Sequence, residues 1–118
     1  MNKLNYATLE ASKRLIDAGM AIMTDVVRIV FVDGSDKLFP SHFPINSANH
    51  PEVDTIYPAP SMAEVWRELP DIHNEYGITM MKYLGDTWCK YYDPHGFAST
   101  NPTDALIGLL IWVRKGGV

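Results

Sequence analysis

Two of the four histidines, His42 and His50, share a proline-rich stretch with Glu52 and Asp54, and imidazole and carboxylate groups together are ligands a divalent cation accepts. The set can act only if its loop is ordered and gathers the four side chains. Otherwise they are loop residues facing water, the plainer reading for His and Asp among prolines and asparagines. A second polar cluster is Tyr91-Tyr92-Asp93-Pro94-His95-Gly96, where Asp93 and His95 could serve as a general base and its orienting partner. Asp-Pro and His-Gly are also ordinary turn dipeptides, and the turn is the reading preferred. Cys89 would be a nucleophile only beside a base, and at the centre of an apolar strand it reads as a small buried hydrophobe.

The histidines stand at least eight residues apart, so none forms an i, i+3 or i, i+4 ligand pair. The chain has no H-E-x-x-H pattern, phosphate loop, G-x-S-x-G elbow or dinucleotide fingerprint. No catalytic residue and no cofactor are therefore assigned, and the balance leans against an enzyme. A net charge of −4 without long like-charge runs argues weakly against a nucleic-acid partner. One cysteine rules out an internal disulfide and fits a reducing compartment. Met1-Asn2-Lys3-Leu4 is not followed by a signal-peptide core, and the longest apolar run, Ala105 to Val113, is too short to span a bilayer. A cytoplasmic location without a membrane partner is expected.

At 118 residues the chain is read as one domain over 1–118, long enough to bury about two-thirds of its unfolded surface. Leu9, Ser12, Leu15 and Ile16 predict a helix over about residues 6–18 that ends on Gly19. Val26 to Val32 is β-branched and stops at Asp33-Gly34, which predicts a buried strand, a turn and a short return near Lys37 to Phe39. Residues 40–54 are predicted to be irregular. From Ile56 to Pro70, a proline-stiffened approach leads to a helix with Ser61 as cap and Glu64 closing a capping box. Met62, Val65, Trp66 and Leu69 then form one stripe predicted to be buried.

Ile78 to Leu84 and Thr87 to Tyr92 flank Gly85-Asp86, which predicts a hairpin with a type II′ turn. In that register Tyr83 faces Trp88 and Met81 faces Lys90, while Met80 faces Tyr91 and Lys82 faces Cys89. The last helix starts at Asn101-Pro102-Thr103-Asp104 and stops at Arg114, Lys115 and Gly116. Its core face is Leu106, Leu109, Leu110 and Val113, with Gly108 open to close backbone approach and Ile111 expected at the surface as an interface residue. So apolar a helix is either sandwiched within the monomer or shared with a second subunit, hence an expected homo-oligomer, in the simplest case a dimer. The fold class is α+β, with about three helices packed on antiparallel strands and hairpins.

The Pro58-Ala59-Pro60-Ser61 entry with Glu64, Trp66 and Leu69-Pro70, the early Asp17-Ala18-Gly19-Met20, the hairpin, and the final Asp104-Ala105-Leu106 to Leu109-Leu110-Ile111-Trp112 helix carry a resemblance. Together they resemble a group of small uncharacterised proteins encoded by phages, prophages and other mobile elements of bacteria. The likeness covers most of the chain outside Lys37 to Asp54. It implies an α+β fold in a bacterial or phage setting and carries over no catalytic residues. The leading expectation is a non-enzymatic interaction or oligomerising accessory protein. Two alternatives remain: a small metal-binding or hydrolytic domain using His42, His50, Glu52 and Asp54 or Asp93 and His95, and single-stranded nucleic-acid binding on the hairpin. The last requires Tyr83, Trp88, Lys82 and Lys90 to share an exposed face.

Overall fold

Thr8 starts the first helix, α1 (Leu9–Asp17), by accepting a hydrogen bond from the Ala11 amide through its side chain. Gly19, in the left-handed region at φ +72°, ends it. A computed structural model describes residues 5–42 and 50–117. Three strands follow α1 and form a sheet in the order β2-β1-β3: β1 (Val26–Phe31), β2 (Asp36–Pro40) and β3 (Val53–Pro58). The β1–β2 turn is closed by Asp33, whose Oδ1 accepts from the Ser35 amide and hydroxyl. The predicted strand, turn and return are all present. The irregular stretch ends earlier than expected, because Val53 and Asp54 already belong to β3; residues 43–49 of it lie outside the described residues. The proline-stiffened approach is thus itself a strand, whose alternation of Val53, Thr55 and Tyr57 was hidden by the flanking prolines.

Helix α2 (Met62–Glu68) begins on the expected capping box: Ser61 Oγ accepts from the Glu64 amide, and Glu64 Oε1 accepts from the Ser61 amide at 2.8 Å. Val65 and Leu69 are buried, but Trp66 remains 47% exposed, and Met62 is exposed beside it. The expectation of a fully buried stripe is therefore wrong. Glu64 explains it, since its second oxygen accepts from the Asp25 amide at 2.9 Å, and Glu64 is itself buried. Holding that carboxylate inside turns the buried face of the short helix toward Glu64, Val65 and Leu69 and swings Trp66 outward.

Short strands β4 (Ile72–His73) and β5 (Tyr76–Gly77) make a small hairpin, and β6 (Thr79–Tyr83), β7 (Asp86–Lys90) and β8 (Gly96–Ser99) form an antiparallel sheet in sequence order. The β6–β7 register differs from the predicted one. Tyr83 pairs with Asp86, Met81 with Trp88 and Met80 with Cys89, around a turn of Leu84 and Gly85 with φ of +51° and +86°. Positive φ at both turn residues is the type I′ form, whose twist suits a two-residue hairpin. Sliding the pairing by two residues leaves every side chain on its predicted face, so the turn, not burial, decides between the registers.

Helix α3 (Pro102–Arg114) has Asn101 as cap, its Oδ1 accepting from the Thr103 and Asp104 amides. Asp104 reaches back to α1, accepting from the Thr8 amide at 2.9 Å and its hydroxyl at 2.6 Å. Leu106, Ile107, Leu109 and Leu110 are fully buried in one core with Leu15, Val65, Leu69 and Cys89. Of the two ways to cover so apolar a helix, enclosure within the monomer is the one observed. The close approach to Gly108 is likewise internal, since a Cβ there would lie 2.9 Å from the Phe97 ring of β8. Ile111 is partly buried against the same core rather than fully exposed. The fold is α+β, as expected.

Candidate interaction surface

The sheet β6-β7-β8 has two unlike faces. Its inner face carries Thr87 and Cys89, both buried, with Phe97 packed toward α3. Cys89 Sγ donates to the Ala105 carbonyl, and burial pushes its thiol up to about 12. It is thus the inert small hydrophobe of the sequence reading. Alternation sends Met81, Tyr83, Trp88 and Lys90 to the outer face. There Met81 is 55%, Trp88 44% and Tyr83 60% exposed, and Leu84 at the hairpin tip is 87% exposed.

A hollow of about 380 Å³ lies on this face, lined by Thr79, Met81, Trp88, Lys90, Asp93 and Pro94. Lys90 Nζ donates to Asp93 Oδ1 at 2.6 Å, setting one ion pair beside an otherwise apolar hollow. A second hollow, about 260 Å³, sits on the inner side of β6 between Met80, Lys82, Thr87, Met62 and Pro102. The two flank the same strand. Among the described residues β6 is paired on one side only, by β7, and all five of its residues are exposed.

The polar residues singled out from the sequence do not assemble on this face or elsewhere. His50 Nδ1 lies 3.3 Å from Glu52 Oε1 at the surface, while His42 is exposed in the turn after β2 and Asp54 is exposed on β3. Among the described residues no three His, Cys, Asp or Glu side chains are grouped to hold a metal. Asp93 and His95 diverge. Asp93 turns to Lys90, and the His95 ring stacks on Trp112 with centroids 4.8 Å apart. The nucleic-acid arrangement also fails its own condition, because Lys82 lies on the opposite side of the sheet from Tyr83, Trp88 and Lys90.

An aromatic cluster was not foreseen. His73 stacks parallel to Tyr92 and meets Trp112 edge-on, and Tyr92 meets both His95 and Trp112 edge-on. His73 Nε2 donates to the Gly117 carbonyl at 2.7 Å, which seats the last described turn of chain over Trp112. Tyr91 completes the neighbourhood with its hydroxyl donating to the Pro70 carbonyl. Burial, then the Asp71 charge, raises that hydroxyl to about 12. The residues come from three separate stretches, 70–73, 91–95 and 112–117, and no spacing in the sequence announces their meeting. The His73 bond to the Gly117 carbonyl and the ring contacts with Trp112 tie the residues around Gly117 to β4 and to the loop after β7. Among the described residues no helix is long and apolar enough to cross a membrane. Compared with family models, curated proteins and solved structures, the chain matches none.

Proposed function

We propose that this chain is a non-enzymatic interaction protein that self-associates, an accessory of the phage or mobile-element kind acting in the bacterial cytoplasm. The observation that carries the reading is the outer face of β6 and β7, where Met81, Tyr83, Leu84 and Trp88 stand exposed together. Scattered single apolar residues on a surface need no explanation, but a contiguous group on a sheet face is the usual mark of a contact surface. The excess of apolar helix that first suggested an oligomer is absorbed inside the monomer, so the hairpin takes over that role. The phage setting rests on the sequence resemblance alone. A metal-binding or hydrolytic reading has less support, since its candidate residues meet at most in the His50–Glu52 pair.

The test is light scattering across micromolar to millimolar concentration on the wild type and on Met81→Asp with Trp88→Ala. Self-association that the double variant weakens by at least ~10-fold, equivalent to about 1.4 kcal/mol, is the expected outcome. A strict monomer over the whole range would defeat the proposal.

A further inference from the structure

We infer that two copies of this chain join edge to edge through β6, pairing antiparallel about a two-fold axis at Met81 to make one six-stranded sheet. The inference rests on the proposed self-association and names its geometry. β6 is an edge strand of five residues, Thr79-Met80-Met81-Lys82-Tyr83, with no proline and no bulge in its pairing with β7. Natural sheets commonly protect such an edge with charges or proline, and this one carries a single lysine.

Register follows from hydrogen bonding. A two-residue turn closes on a hydrogen-bonded pair, here Tyr83 with Asp86. Alternation from that pair makes Met81–Trp88 and Thr79–Lys90 hydrogen-bonded as well, so the N–H and C=O of Met80 and Lys82 point away from β7. A two-fold axis at Met81 sets Met80 of one copy opposite Lys82 of the other, matching all these free groups. It also sets the two Met81 side chains directly across from each other in a non-hydrogen-bonded pair, the closer kind. An axis at Lys82 would oppose two lysines, a repulsive pair. The chosen axis places each ammonium across from a methionine and runs Trp88, Met81, Met81 and Trp88 of the two copies into one apolar row. Such a contact is isologous and closes at two copies, so it yields a dimer and not a fibre.

The register is tested with Met81→Cys and Lys82→Cys. Cα atoms in a facing pair of the closer kind lie about 4.5 Å apart, within disulfide reach. Oxidised Met81→Cys should run as a covalent dimer on a non-reducing gel, while Lys82→Cys, whose counterpart is Met80, should not. Buried Cys89 faces the other side of the sheet and does not compete. Met80→Pro is the second arm, because it deletes a donor aimed outward and leaves the β7 pairing intact, the one place proline suits an edge strand. It should weaken dimerisation at least ~30-fold, or about 2 kcal/mol, with an unchanged circular dichroism spectrum. Equal cross-linking of both cysteine variants, or a Met80→Pro protein that dimerises like wild type, overturns the β6 geometry while leaving self-association standing. A wild type that is monomeric throughout overturns both.

Discussion

Ser12 on α1 is fully buried, and its hydroxyl has no hydrogen-bond partner among the described residues. An unpaired buried hydroxyl costs free energy, and alanine is the better helix former. Ser12→Ala should therefore stabilise the protein by about 1 kcal/mol in urea unfolding, and a loss of stability would show that the hydroxyl is satisfied after all. Cys89 and Tyr91 make the opposite kind of statement, about pH. Both are raised in the folded state, the thiol from 9.0 and the phenol from 10.0, each to about 12. The unfolded chain releases these protons first, so stability is intact below pH 9 and falls as pH rises toward 12. The slope is at most about 1.4 kcal/mol per pH unit for each group. Urea midpoints measured from pH 7 upward should drop beyond pH 9, and Cys89→Ala should make that drop shallower. An identical alkaline slope in the variant would refute the thiol's part. At this scale the sequence was informative where one residue's role is local. Ser61 and Glu64 could be read from a three-residue spacing because both hydrogen bonds of a capping box close within the first turn of its own helix. Trp66 could not, since its exposure depends on Glu64 bonding the Asp25 amide 39 positions away.

Local chemistry also decides the β6–β7 hairpin, in a way that the alternation of its strands does not. Leu84 sits at φ +51°, a left-handed conformation that asparagine and glycine accept far better than leucine. Asn-Gly is the favoured pair for a type I′ turn. Leu84→Asn should stabilise the fold by about 1 kcal/mol and keep the register, checked by thermal unfolding together with amide exchange of β6. A destabilised variant would mean that the 87% exposed leucine contributes a contact beyond the turn. The predicted register was two residues off because Gly85 can serve as either turn residue, and both choices put the same side chains on each face. Helix α3 was legible nearly end to end, from the Asn101 cap to Gly116, since caps and a continuous apolar run are local signals. Strand β8 was not. Phe97 lies just past the Tyr91 to Gly96 cluster and drew no expectation, because its place is set by packing over Gly108, a contact between residues 11 apart that spacing cannot supply.

The whole molecule measures 49 × 29 × 20 Å with a radius of gyration of 15.2 Å, against about 13.5 Å for a closely packed domain of this length. The elongation has a structural origin. The main core gathers α1, α2, α3 and β7, whereas the buried Val26, Ile29 and Val53 of the β2-β1-β3 sheet stand outside it. Polar links join the two: Arg28 Nη2 donates to the Ala7 carbonyl at 2.8 Å, and Glu64 accepts from the Asp25 amide. Arg28 is held from its other side by Asp36 at 3.1 Å. Hydrogen bonds contribute about 0.5–1.5 kcal/mol net each, whereas the apolar residues of the main core add roughly 1.5–3 kcal/mol apiece when fully buried. The sheet should therefore open in local fluctuations that leave the α3 core closed. Native-state hydrogen exchange is expected to show β1 amides opening at lower free energy, and with weaker denaturant dependence, than amides of α3 and β7. Arg28→Ala should widen that gap by about 1–3 kcal/mol, because it removes a polar link that holds the sheet and frees Asp36, while on the core side it strands the Ala7 carbonyl alone and leaves the α3 side chains in place. If β1 and α3 exchange at one common free energy in both proteins, the molecule unfolds as a single unit and its elongation has no energetic counterpart.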